Sequence, residues 1–202
     1  MKRMPARTLV TAIAVSIVGV FPAIAADEPK NEIGVVVGYI APSSDSTIQG
    51  TKFEADSTVD YGAEYRRRFL ESNRLSLGAS ILYAKHDVKA NGQKGATIEN
   101  LPILIDANWH LLKRKNLYFG VTAGISTWGD LKPTDGSGNI SIKQDFVYGL
   151  NSGYDISIGS RFAILLNLRY LSQKAETDEP SFPDESVDVN PIIANVGFAF
   201  RF

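Results

Sequence analysis

The stretch PIIANVGFAFRF, Pro191 to Phe202, sets Ile192, Ala194, Val196, Phe198, Phe200 and Phe202 on one side and Ile193, Asn195, Gly197, Ala199 and Arg201 on the other. Strict period two is a strand pattern, and here one face is bulky and apolar while the other is small or polar. A terminal strand frays unless it is paired along its length. Pairing it with the first strand closes a ring and removes both sheet edges. Hydrocarbon demands that closure, because no water is present there to satisfy free backbone groups. The aromatic run Phe198, Phe200, Phe202 also resembles the insertion signal that the outer-membrane assembly machinery reads.

The same alternation recurs upstream over Ile33–Ile40, Val59–Arg66, Leu75–Ala84, Ile103–Leu111, Phe119–Ser126, Phe146–Ile156 and Phe162–Tyr170. The expected fold is all-β, an eight-stranded antiparallel transmembrane barrel of outer-membrane type. Connections alternate in length. Leu70–Asn73, Lys113–Asn116 and Ser157–Ser160 are tight, whereas Pro42–Ser57, His86–Ala96, Gly129–Asn139 and Gln173–Ser186 are long and polar. Outer-membrane barrels carry short periplasmic turns and longer extracellular loops, so a chain that starts in the periplasm puts every long connection outside the cell.

Aromatic placement predicts two lipid-interface belts. Tyr65, Trp109, Tyr118, Phe119, Tyr154, Phe162, Phe200 and Phe202 form the periplasmic one, and Tyr39, Tyr83, Trp128, Phe146, Tyr148 and Tyr170 the outer one. A soluble β-sandwich also alternates, but its polar face meets water and is rich in Lys, Glu and Thr. Here that face is Gly, Ser, Ala and Asn with lone charges, which suits a narrow lumen.

The composition of the 202 residues is consistent with this. The chain has no Cys and two His, and a formal charge of -1. Disulfides, thiol chemistry and His-rich metal sites are excluded, and a nucleic-acid partner is not expected. No cofactor is expected either. Near-neutral mean hydropathy argues against a multi-span helical protein. The first 25 residues carry Lys2, Arg3 and Arg7, an apolar stretch from Leu9 to Phe21, and a small-residue exit at Ala23-Ile24-Ala25. That is the form of a cleaved signal peptide. The expected organisation is residues 1–25 as signal peptide and residues 26–202 as the barrel, located in a Gram-negative outer membrane.

Several segments resemble the OmpW family of eight-stranded outer-membrane proteins. Leu101-Pro102 enters a strand ending near Trp109, and the run from Tyr118 to Ile125 is spaced by Gly120 and Gly124. Gly149, Gly153, Tyr154 and Asp155 follow, and Asn190-Pro191 leads to the closing Arg201-Phe202. The OmpX and OmpA-type barrels share the general pattern. The OmpW resemblance implies passage or binding of small, mainly hydrophobic molecules through a narrow channel or binding barrel. The OmpX/OmpA pattern implies instead a non-transporting surface barrel for envelope integrity, adhesion or host-defence resistance.

Strand parity sends Glu64, Arg66, Asp106, His110, Asp145, Asp155, Arg169 and Arg201 into the interior. An eight-stranded barrel holds about one layer of side chains or one small ligand, so these charges must pair. Above them, Ile40, Leu82 and Trp128 are expected to form an apolar vestibule. Catalysis is not expected: His86 and His110 fall on opposite membrane sides, and Ser43, Ser44 and Ser46 have no nearby His. Lys85, Lys89 and Lys94 cluster at the rim of the second long connection, where lipopolysaccharide phosphates lie. Expected partners are therefore outer-membrane lipid, lipopolysaccharide, the barrel-insertion machinery and small apolar solutes.

Overall fold

The computed structural model describes residues 30–43, 46–48, 51–69, 74–111, 114–134, 141–176 and 186–202. The expected signal peptide, the turn at 70–73, residues 44–45 and 49–50 of the first long connection and much of the third and fourth lie outside these residues. The described chain forms thirteen strands. They are β1 (Asn31–Pro42), β2 (Ser46–Ile48), β3 (Thr51–Ala55), β4 (Thr58–Phe69), β5 (Leu75–Ala90), β6 (Gln93–Leu111), β7 (Arg114–Trp128), β8 (Lys132–Pro133), β9 (Asp145–Ile158), β10 (Phe162–Ser172), β11 (Lys174–Glu176), β12 (Ser186–Asp188) and β13 (Pro191–Arg201).

Eight of them, β1, β4, β5, β6, β7, β9, β10 and β13, pair antiparallel in a closed ring. The seam is β1 against β13, in register from Glu32↔Arg201 to Pro42↔Pro191. It is locked at its periplasmic end by Asn31 N–H donating to Phe202 O at 3.0 Å and Phe202 N–H donating to Asn31 O at 2.9 Å. Each ring strand has at least 11 residues, the length a tilted strand needs to cross hydrocarbon.

Period two then sorts every side chain. Val35, Ile105 and Leu150 are 65, 64 and 63% exposed, whereas Val147, Leu165 and Ile193 are fully covered. A soluble protein would not leave so continuous an apolar outside; lipid covers it. Phe162 stacks on Phe198 and Phe200 with ring centroids 5.5 Å apart, and Phe200 on Phe202 at 6.0 Å, making the periplasmic belt. Two residues expected in the belts point inward instead. Tyr118 and Trp128 are buried, because they share strand parity with Gly120, Thr122 and Ser126 and not with Phe119.

The long connections are more ordered than the sequence suggests. His86–Ala96 is not a loop: β5 runs to Ala90, β6 restarts at Gln93, and Asn91 and Gly92 turn between them with φ of 50° and 80°. Both φ values are positive, as the Asn-Gly two-residue hairpin requires. β2 and β3 pair with each other, and β3 joins β5 from Phe53↔Ala90 to Ala55↔Val88. On the other flank β8 joins β6 at Ala96↔Pro133 and Thr97↔Lys132. The wall on this side thus continues above the barrel as a sheet in the order β2-β3-β5-β6-β8, while β11 and β12 make a separate small hairpin.

Candidate functional site

The lumen is built in four layers. The first, at the periplasmic end, is ionic. Glu32 on β1 accepts from Arg66 Nε at 3.2 Å, Arg66 Nη2 at 2.5 Å and Arg201 Nε at 2.6 Å. Asp155 on β9 accepts from Arg66 Nη2 at 2.9 Å and Arg68 Nη2 at 2.8 Å, with Arg201 Nη2 at 3.4 Å. Three arginines and two carboxylates are buried together.

The second layer carries the opposite imbalance. Arg169 Nη2 lies 3.1 Å from Asp106 and 3.7 Å from Glu64. Asp106 also accepts from Thr122 Oγ1 and, at 3.1 Å, from Asn151 Nδ2. Glu64 accepts from Asn167 Nδ2 at 2.9 Å, and the Tyr118 hydroxyl donates to Asn167 Oδ1. Arg66 stacks over the Tyr118 ring at 4.7 Å and ties the two layers together. Together they hold four arginines and four carboxylates. Small residues make the room: at Gly153 a Cβ would fall 2.2 Å from the Tyr118 hydroxyl. What remains between Glu64, Arg66, Asp106, Tyr118 and Arg169 is a cavity of about 10 Å³, enough for about one water molecule.

Above the charges lies an apolar layer of Val36, Ile40, Leu82, Leu104, Val147, Leu171 and Ile193, and above that Ile98, Trp128 and Val189 pack at the extracellular mouth. Beside the apolar layer the β5–β6 ladder lacks two pairs, with no change of register. The β5–β6 register runs from Leu75↔Trp109 to Ile81↔Ile103 and resumes at Ala84↔Asn100, passing over Leu82 and Tyr83 opposite Leu101 and Pro102. Proline has no N–H to give to a ladder, so Pro102 accounts for the interruption.

Of the interior residues expected from sequence, Glu64, Arg66, Asp106, Asp155, Arg169 and Arg201 meet in this network. His110 sits at its edge, its Nε2 2.9 Å from Ser76 Oγ. Asp145 does not join. It lies at the first position of β9, where its carboxylate accepts from the backbone N–H of Phe146 at 2.7 Å and of Lys174 at 2.9 Å, so it caps strand ends at the rim. Glu32 and Arg68 belong to the network and were not anticipated. Parity held the signal, since Glu32 is in phase with Gly34 and Val36, and Arg68 with Glu64 and Arg66. Ile40 and Leu82 face inward as expected, and Trp128 follows its vestibule assignment and not its belt one. They do not line one open vestibule, however: Ile40 and Leu82 close the apolar layer, and Trp128 belongs to the mouth cluster. Lys85 is exposed on β5, while Lys89 and Lys94 sit 2.8 Å from Asp56 and Asp87. Among the described residues no group of acidic or histidine side chains is arranged to hold a metal.

The outer membrane protein beta-barrel domain family matches residues 10–202. The chain belongs to that family. It is an outer-membrane β-barrel protein. Solved structures of similar fold include OprG of Pseudomonas aeruginosa, with TM-score 0.72 and 18% identity, covering 89% of this chain and 99% of that one. AlkL in lipid bilayers has TM-score 0.52 and 14% identity, covering 90% and 95%. Neisserial surface protein A has TM-score 0.50 and 9% identity, covering 89% and 100%. OprG and AlkL are OmpW-type eight-stranded barrels, in agreement with the resemblance drawn from the sequence. Among proteins of curated function none matches the chain.

Proposed function

We propose that this outer-membrane barrel takes small, mainly hydrophobic molecules in at its extracellular mouth and releases them sideways through the wall. The observation that carries this is the interruption at Leu82, Tyr83, Leu101 and Pro102, level with the apolar layer. The ionic layers below leave room for about one water molecule, so a straight aqueous path to the periplasm is disfavoured. An apolar solute pays heavily to cross a charged layer and nothing to enter hydrocarbon. Pro102 also brings one backbone donor fewer to this stretch of the β5–β6 seam, so the strands separate there at lower cost. Replacing Pro102 by Val restores a donor without adding much bulk. It is expected to slow entry of an apolar fluorescent probe into proteoliposomes several-fold, with heat-dependent gel mobility unchanged. Unaltered entry would overturn the lateral route.

A second reading, contact with the lipopolysaccharide layer, is favoured by the sheet that β5 and β6 extend above the membrane. It carries Lys85, Lys89 and Lys94 at headgroup height, and the two carboxylate pairs of Lys89 and Lys94 are exposed and therefore easily exchanged for phosphate. Replacing all three by Ala should reduce co-purified lipopolysaccharide, and full retention would refute the contact. Phe198, Phe200 and Phe202, all on the lipid face, are assigned as the insertion signal, and residues 1–25 as the export signal removed before it.

A further inference from the structure

The interior charges leave one carboxylate over. Four arginines and four acids neutralise each other in the ionic layers, and Asp60 belongs to neither. It is fully buried on β4, opposite Gly38 on β1 and Ala84 on β5. Ile40 and Leu82 of the apolar layer lie one inward position away on those same neighbouring strands. Its single hydrogen bond is to Oδ2, from Asn195 Nδ2 at 2.7 Å; Oδ1 has no partner. Among the described residues no lysine, arginine or histidine nitrogen pairs with it. A carboxylate in an apolar layer with no ion-pair contact is costly to hold.

Unpartnered acceptors gather on the inward positions next to it, while unpartnered donors of this level, Asn100 Nδ2 and Trp128 Nε1, lie further round the ring on β6 and β7. Asn195 spends its amide nitrogen on Asp60, which leaves Asn195 Oδ1 unpartnered. His86 lies one inward position above Ala84, the cross-strand partner of Asp60. His86 Nδ1 is 3.0 Å from the carbonyl of Asp56. A carbonyl only accepts, so Nδ1 carries the hydrogen and Nε2, also unpartnered, is an acceptor. Asp60 Oδ1, Asn195 Oδ1 and His86 Nε2 are thus three acceptors without a donor on neighbouring inward positions of β4, β13 and β5. A primary ammonium offers three N–H donors and one positive charge.

We propose that Asp60, with Asn195 and His86, binds the ammonium head of a small cationic amphiphile whose apolar tail lies against Ile40 and Leu82. The inference rests on the entry route proposed above and narrows its solutes to primary amines with a short hydrocarbon chain. Gly38 lies beside the site, where a Cβ would meet first the Ala194 carbonyl of β13 and then Asn195 Nδ2.

The test uses the full barrel in uncharged phosphatidylcholine vesicles, titrated calorimetrically with hexylammonium, hexanol and hexanoate, with protein-free vesicles subtracted. Hexylammonium is expected to bind about tenfold more tightly than hexanol, the size of a charge-assisted over a neutral contact, and hexanoate more weakly than either. Asp60→Asn, nearly isosteric, should erase the preference for the amine while hexanol binding stays. Equal affinity for amine and alcohol in the unaltered protein would overturn the proposal without any variant, as would a preference that survives Asp60→Asn. The entry route is judged separately by Pro102→Val. If that variant slows probe entry while amine and alcohol bind alike, the route stands and the ammonium site falls; an Asp60-dependent preference with unaltered probe entry gives the reverse.

Discussion

Glu32 offers the sharpest test of how the lower lumen is held together. It accepts three hydrogen bonds from two buried arginines. Glu32→Leu would leave one carboxylate, Asp155, facing Arg66, Arg68 and Arg201. Breaking a buried pair by removing one partner costs about 3–5 kcal/mol. Here Asp155 still reaches all three guanidinium groups, at 2.9, 2.8 and 3.4 Å, so the lower end, about 3 kcal/mol, is expected. The companion change Arg201→Met alone removes a positive charge from a layer that has one in excess, but it strips Glu32 and Asp155 of a partner each. The double variant Glu32→Leu/Arg201→Met returns the layer to a single excess positive charge and fills the space with apolar volume. Its cost should fall to about 1–2 kcal/mol, well below the sum of the two single changes. Urea unfolding in lipid vesicles, followed by the loss of heat-modifiable gel mobility, measures all three. Additive losses would mean that Glu32 and Arg201 act through packing alone, and the ionic account of the plug would fail.

Three further outcomes follow from the same geometry. Gly153→Val should destabilise the barrel by about 1–3 kcal/mol through overpacking against Tyr118, and Tyr118→Phe in the same chain should recover part of that loss in the same unfolding assay. Gly92→Val forces a β-branched residue to a φ of 80°; hydrogen exchange should speed up in the upper parts of β5 and β6 and remain unchanged at Glu32 and Arg201. His86 stands above the lipid band, and its pKa is lowered from the usual value, burial outweighing the carbonyl of Asp56 and the charge of Asp60. An opened arm exposes a histidine that titrates near 6.5, whereas the closed arm resists the proton. Protection of the Asp56 amide, bonded to Asp87 O at 2.8 Å, should therefore be full above about pH 6.5 and decline as pH falls below it. His86→Gln should remove that decline.

Much of this architecture is legible in the sequence because lipid imposes it. Every second residue from Val35 to Tyr39, or from Phe198 to Phe202, must be apolar if it faces hydrocarbon, and that alone locates eight strands and the interior parity. The same signal fails where lipid stops. Glu32 and Arg68 lie just past the apolar runs, so their strands look finished before they are. The β5–β6 arm beyond Lys85 meets water on its outer side and carries no apolar alternation; only Asn91-Gly92 marks it as a hairpin. Aromatic identity misleads at Tyr118 and Trp128, which sit at belt height but in inward phase. Asp145 has inward phase too, yet the first residue of a strand has backbone donors close by, and its carboxylate takes those. In the sequence Pro102 reads as the entry to a strand; only because β6 begins at Gln93 does it fall inside one, opposite Leu82.

The two halves of the lumen solve different problems, and that division argues for a binding role over a purely structural one. Below, small residues such as Gly153 admit large polar side chains, and four arginines meet four carboxylates with almost no space left. That arrangement fills the lower lumen without needing any ligand. Above, the layer around Ile40 and Leu82 would be most stable if wholly apolar, and Val or Leu at position 60 would cost nothing in desolvation. The chain instead buries Asp60 there beside Asn195, and leaves three neighbouring acceptors without donors near the interrupted ladder at Pro102. Unpaired groups of this kind persist when something from outside completes them. The excess acid, the unpartnered acceptors and the interrupted ladder lie on neighbouring positions of the barrel, and a small apolar molecule with a cationic end is the proposed guest that would meet all three.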